Sequence, residues 1–173
     1  MTEKEGTERA ARRRAEFALA PLRKFEIAGL DGSIYLTRHH LLENPDGSQV
    51  MLHQIHRSDE DREFHDHPWA FRSFIAAGAY IEHTPVFREG SRAWIPGESR
   101  QRLYRAGEWN DRPDPASVHR VEVVEHPCIS VVYRGPRVRD WGFLMPDGTW
   151  VPHQDYLRVK HGFRFDGMET ADA

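Results

Sequence analysis

Chemistry-bearing side chains crowd into one stretch of the 173-residue chain, His56–Trp69, which reads HRSDEDREFHDHPW. His65 and His67 are two apart. In an extended segment such residues face the same side, so both imidazoles point together. Pro68 supports this reading, because it biases His67 away from the helical region. Two imidazoles can hold one divalent ion but need a further ligand from elsewhere. His119 is the best-placed candidate, at the start of the run HRVEVV after the turn-rich WNDRPDPAS. Three protein ligands leave positions open for water or substrate, which suits a catalytic site better than a structural one. The bland alternative is a hydrogen-bonded HDH loop and a core histidine at 119.

Asp66, between the two histidines, points away from such an ion. The acidic loop Ser58–Glu63 is either solvated surface or a source of carboxylates that accept the free ring N–H of a liganding histidine. His56 is the candidate for acid/base work, and it can equally pair with Asp59 or Asp61. His83, His126, His153 and His161 sit near loops and are expected at the surface. Arg72 and Arg134 carry the fork that grips a carboxylate or phosphate in a two-pronged way, as do Arg137 and Arg139. Strand parity counted from His67 turns Arg72 away from the ion, and a bulge at Pro68 would turn it inward.

The elements that must position these residues read as short strands. Thr2–Phe25 is an exception: TERAARRRAEFALAPLRKF is rich in good helix formers, and Pro21 ends or kinks the helix. After it come SIYLTRHHLL, an NPDGS turn with an Asp-Gly hairpin signal, and SQVMLHQIHR. AFRSFIAAGAYIEHTPVF reads as two strands meeting near Gly78. RAWIP, RQRLYRAG, VHRVEVV, CISVVYRG and RDWGFLM continue the series, and TWVPHQDYL reads as a last strand or edge segment. Short strands separated by Gly and Pro predict an all-β sandwich or barrel. The units are an N-terminal helical extension (1–26), a β domain (27–160) and a C-terminal tail (161–173).

Composition narrows the classes. The formal net charge is −3, which gives no basis for general binding to nucleic acid. No apolar run is long enough to span a bilayer, and no apolar signal core opens the chain. One cysteine, Cys128, excludes an internal disulfide framework and is expected in the core, so a reducing cytoplasm is the expected setting.

The His65-x-His67 pair, Gly78 at the family's spacing and the lone His119 on a later strand resemble the cupin superfamily over about residues 33–150. Phe71 stands where that family's first motif places a glutamate, and the second motif lacks its usual Pro-x-Gly. HDHPW followed by RGPRVRDWGF is similar to a group of small bacterial and phage cupins. The resemblance implies a double-stranded β-helix, the cupin jelly roll, here with an N-terminal helix. A three-histidine set without the glutamate resembles the iron sites of thiol dioxygenases and diketone-cleaving cupins. It implies a mononuclear non-haem Fe(II)-dependent dioxygenase or oxygenase acting on a small polar molecule. Nickel, manganese or zinc are alternatives, since ligand type alone does not choose the metal. In this reading His65, His67 and His119 hold the ion, and Phe71 helps keep the site dry. Phe71, Arg72, Tyr133 and Arg134 line the substrate side, with His56 as the catalytic acid/base. The same residues would also serve a metal-dependent isomerase or lyase, a metal-free sugar epimerase, or a non-catalytic small-molecule-binding cupin. A homodimer through an edge strand or the N-terminal helix fits a small β domain.

Overall fold

The computed structural model describes residues 23–28, 32–59 and 63–161. Among these described residues ten strands precede one helix: β1 (Arg23–Ala28), β2 (Ile34–Glu43), β3 (Gln49–Ile55), β4 (Phe64–His65), β5 (Phe71–Phe87), β6 (Trp94–Arg105), β7 (Trp109–Arg112), β8 (Arg120–Arg134), β9 (Gly142–Leu144), β10 (Trp150–Pro152) and α1 (His153–His161). No helix among the described residues is long and apolar enough to cross a membrane.

The period-2 pattern of the sequence is realised directly. Along β8, Cys128, Ser130, Val132 and Arg134 are buried, while Tyr133 between them is exposed. The NPDGS turn joins β2 to β3. Gly47 N–H donates to Asn44 O at 2.9 Å, and the Asp46 carboxylate accepts the Ser48 N–H at 2.9 Å. Such an Asx interaction pins the hairpin and so sets the β2–β3 register.

Seven strands form one antiparallel sheet in the order β1-β2-β3-β8-β5-β6, with β7 also paired to β5. This sheet folds over on itself. Asn110 of β7 is in register with Ser73 in the first half of β5, yet its side-chain amide donates to Tyr80 Oη at 3.0 Å and Glu82 Oε1 at 2.9 Å in the second half. The bend falls at Gly78, where the β5–β8 register shifts on both sides of the glycine. Between the layers Ile75, Tyr80, Tyr104 and Cys128 form one core cluster.

A second sheet, β10-β9-β4, carries the His-x-His segment. Phe64, Trp94, Val118 and Leu144 pack beneath it. Asp66 joins its parts: the carboxylate is 1% exposed and accepts hydrogen bonds from Gly142 N at 2.7 Å, Trp150 Nε1 at 2.9 Å and the Arg139 guanidinium. Helix α1 closes this end, with Tyr156 stacked on Phe143 at 3.8 Å and His153 stacked on Trp141 at 4.4 Å.

Several expectations change. The helix expected over Thr2–Phe25 lies outside the described residues up to residue 22, and Arg23–Phe25 opens β1 instead, so a strand crosses the expected boundary between 26 and 27. The described helix is C-terminal: TWVPHQDYL leaves the strand at Pro152, which has no N–H for a ladder, and continues as α1 so that one helical face meets Trp141 and Phe143. WNDR is strand β7 rather than a turn. β5, β6 and β8 each join two segments that read as separate strands.

Gly78 has φ of +71°, and a Cβ there would sit 2.9 Å from the Pro127 carbonyl carbon and closer still to the oxygens of Glu125 and Pro127. Gly78→Ala therefore combines left-handed backbone cost with overpacking against main chain. It is expected to destabilise the fold by about 3 kcal/mol, read as a lowered midpoint in denaturant unfolding at unchanged slope.

Candidate metal centre

Backbone pairing builds the site. His65 and His119 form an isolated antiparallel bridge that exchanges both main-chain hydrogen bonds, His65 N to His119 O at 2.9 Å and His119 N to His65 O at 2.8 Å. Two residues on, His67 N–H donates to Pro115 O at 3.1 Å and fixes the other end of the pair. The result brings His65, His67 and His119 together, with one ring nitrogen from each within 4.8 Å of the others. The Nε2 atoms of His67 and His119 are 2.8 Å apart. Metal–nitrogen bonds of about 2.0–2.1 Å place adjacent ligands roughly 3 Å apart, so this spacing fits one shared ion.

The surroundings keep the His67 and His119 rings neutral. His67 is held well below the ordinary imidazole range first by burial, then by His119, His65 and the guanidinium charges of Arg112 and Arg38. His119 is lowered by burial, His65 and Arg112. A neutral imidazole presents the lone pair that a metal needs. Glu82, 5% exposed, accepts from His119 Nδ1 at 2.7 Å. That bond assigns the proton to Nδ1 and leaves Nε2 free toward the other histidines. Glu82 is itself held by Asn110 at 2.9 Å and Arg112 at 3.4 Å.

Sequence reasoning looked for supporting carboxylates in the acidic loop and missed Glu82. The signal was parity: Glu82 is two residues from the core Tyr80 and therefore shares its inward face. The loop does supply one neighbour, since Asp59 Oδ2 lies 3.7 Å from His65 Nδ1 while also accepting the Val121 N–H at 2.7 Å. Asp66 faces away from the rings, into its own set of donors.

The other expected site residues divide. The Phe71 ring is 4.8 Å from His67 and 6.0 Å from His119, an apolar wall beside the cluster. Arg72 is on the opposite face, its side chain 54% exposed and paired with Asp111 at 2.9 Å. Its guanidinium lies over Trp109. Parity from His67 holds, so no bulge turns Arg72 inward. Tyr133 is in register with Arg72 and shares that outer face. Arg134 does point inward, but its guanidinium lies over Trp69 at 4.1 Å and donates to Gly47 O at 3.1 Å, a packing role. His56 is not one of the clustered histidines; its Nε2 is 2.8 Å from Thr37 Oγ1. Arg139 binds Asp66, and Arg137 pairs with Asp140 at the surface. His83 is buried between Ser99 and Glu122, and His153 is half-buried, against the expectation of exposure.

No protein-family model and no curated protein matches the sequence. Solved structures match the fold. HppE, solved in its Fe(II) form, aligns at 10% identity over 68% of this chain and 57% of that chain, with a TM-score of 0.50. KdgF from Halomonas sp. aligns at 14% identity over 67% of this chain and 89% of that one, with a TM-score of 0.46. Oxalate decarboxylase from Lactobacillus farciminis, as a formate complex, aligns at 16% identity over 69% of this chain and 32% of that one, with a TM-score of 0.45. These are cupin-type proteins, and the double-stranded β-helix of this chain is a cupin-type fold.

The neutral rings have a consequence for stability. His53, His67 and His119 are all held below the value of about 6.5 that an unfolded histidine has. Below that value the unfolded chain binds protons that the folded rings refuse, so stability falls as pH drops from about 6.5 toward the folded values. Metal-free protein is expected to lose denaturant midpoint between pH 7 and pH 5, and His67→Gln is expected to reduce that loss.

Proposed function

We propose that this cupin-fold chain is a mononuclear non-haem metal enzyme, an Fe(II)-dependent oxygenase of the dioxygenase type acting on a small polar substrate. The observation that carries the reading is the donor set: three buried or half-buried imidazoles converge, and the Phe71 ring packs beside His67 at the position where the cupin motif has a glutamate. His65, His67 and His119 would hold the ion. Three neutral ligands leave its full charge available to an anionic or polar substrate group, and iron(II) held there would supply one-electron chemistry with dioxygen. HppE, the fold relative solved with Fe(II), supports iron over nickel, manganese or zinc.

The chain's own residues would do the rest. Glu82 holds the His119 proton at Nδ1 and orients the ring. Phe71, Trp141 and Phe143 exclude water, the latter two lying 6.3 and 6.2 Å from the His65 ring.

Elemental analysis of purified protein is expected to find close to one metal ion per chain. His65→Ala, His67→Ala and His119→Ala are each expected to reduce it at least tenfold. Oxygen uptake during turnover is the second arm. Turnover without oxygen uptake would replace the oxygenase by an isomerase or lyase on the same histidines, and absence of metal with no uptake of added iron would remove the metal reading altogether.

A further inference from the structure

Glu82 faces two ways. Its Oε1 meets His119 Nδ1, on the side of that ring away from the converging Nε2 atoms. It also forms the floor of a separate cleft of about 270 Å³, which opens between β6 and β7. Arg100, Arg102 and Tyr104 line one wall. They are two apart on β6 and share a face, in register with Thr84, Glu82 and Tyr80 of β5. Arg112 of β7 lines the other wall.

Three arginines therefore line one small concave space, Arg100 and Arg102 exposed and Arg112 held against Glu82. Among the described residues, neither Arg100 nor Arg102 has a carboxylate partner. The two acids of the cleft are already engaged: Glu82 accepts from His119, Asn110 and Arg112, and Asp111 pairs with Arg72 on the outer face. Arg102 lies over the Tyr104 ring at 4.5 Å, which restrains its side chain before any ligand arrives. Arg112 uses one hydrogen bond at each Nη, to Glu82 and to Ser117 O, so donor capacity remains at both nitrogens.

We propose that this cleft binds a small ligand carrying anionic oxygens, a carboxylate or a phosphate, at a site distinct from the histidine cluster. Like charges gathered in a concavity repel one another, and an anion that accepts from planar guanidinium forks relieves the repulsion with directional hydrogen bonds. Thr84 of β5, in register with Arg100, also lines the cleft.

Calorimetric titration of the full chain tests this, with inorganic phosphate and succinate as probes at physiological ionic strength. Saturable one-site binding of either is expected, and the probe that binds identifies which oxygen chemistry the cleft takes. The double variant Arg100→Gln, Arg102→Gln is expected to weaken it roughly tenfold or more, through loss of the charge-assisted hydrogen bonds. Metal-stripped wild type and His65→Ala are both expected to bind as the untreated protein does. Absence of binding by both probes overturns the proposal, as does unchanged affinity in the arginine variant. Binding lost on metal removal but kept in the arginine variant also overturns it, by placing the anion on the metal. The metal reading can fail while this site survives, and the reverse.

Discussion

Two main-chain hydrogen bonds between His65 and His119 hold the centre in place. Among the described residues they form the one bridge outside the named strands, and they join a segment of the small sheet to the start of β8 in the large one. Residues that face each other directly across an antiparallel pair bring their side chains close together on one face. The bridge thus converts a backbone pairing into two neighbouring imidazoles. His67, on the same side as His65 by the period of an extended chain, completes the set without any further loop.

Around this bridge the polar groups are buried in connected networks. Glu82, His119, Asn110 and Arg112 form one, and Asp66, Arg139, Trp150 and the Gly142 N–H form another. A buried carboxylate is costly unless its lone pairs are met, and each of these two meets three donors. The networks make the interior stiff where it needs to be: one sets the proton on a candidate ligand, and the other fixes the backbone that carries two such ligands.

What could be read from the sequence follows from which constraints are local. The His-x-His pair, its shared face and the outward turn of Asp66 all come from strand parity, and parity needs no tertiary knowledge. The β texture was legible for the same reason. Strand continuity was not, because Gly78 reads as a break while the structure uses it as the corner of one long bent strand. Arg134 and Arg72 show the limit of reading side-chain chemistry without place: both are guanidiniums, yet one packs on Trp69 inside and the other on Trp109 outside. Glu82 lies 37 residues from His119 in sequence, and only the fold brings them together.

Asp66 has a wider consequence. It sits between two candidate ligands and faces away from their rings, and its carboxylate gathers the Gly142 N–H, the Trp150 indole and the Arg139 guanidinium around the small sheet. The centre is therefore not portable as three histidines alone. Grafting it onto another β scaffold would mean transplanting an anion receptor along with it, and a host lacking that receptor would display the right ligands on a loop free to drift.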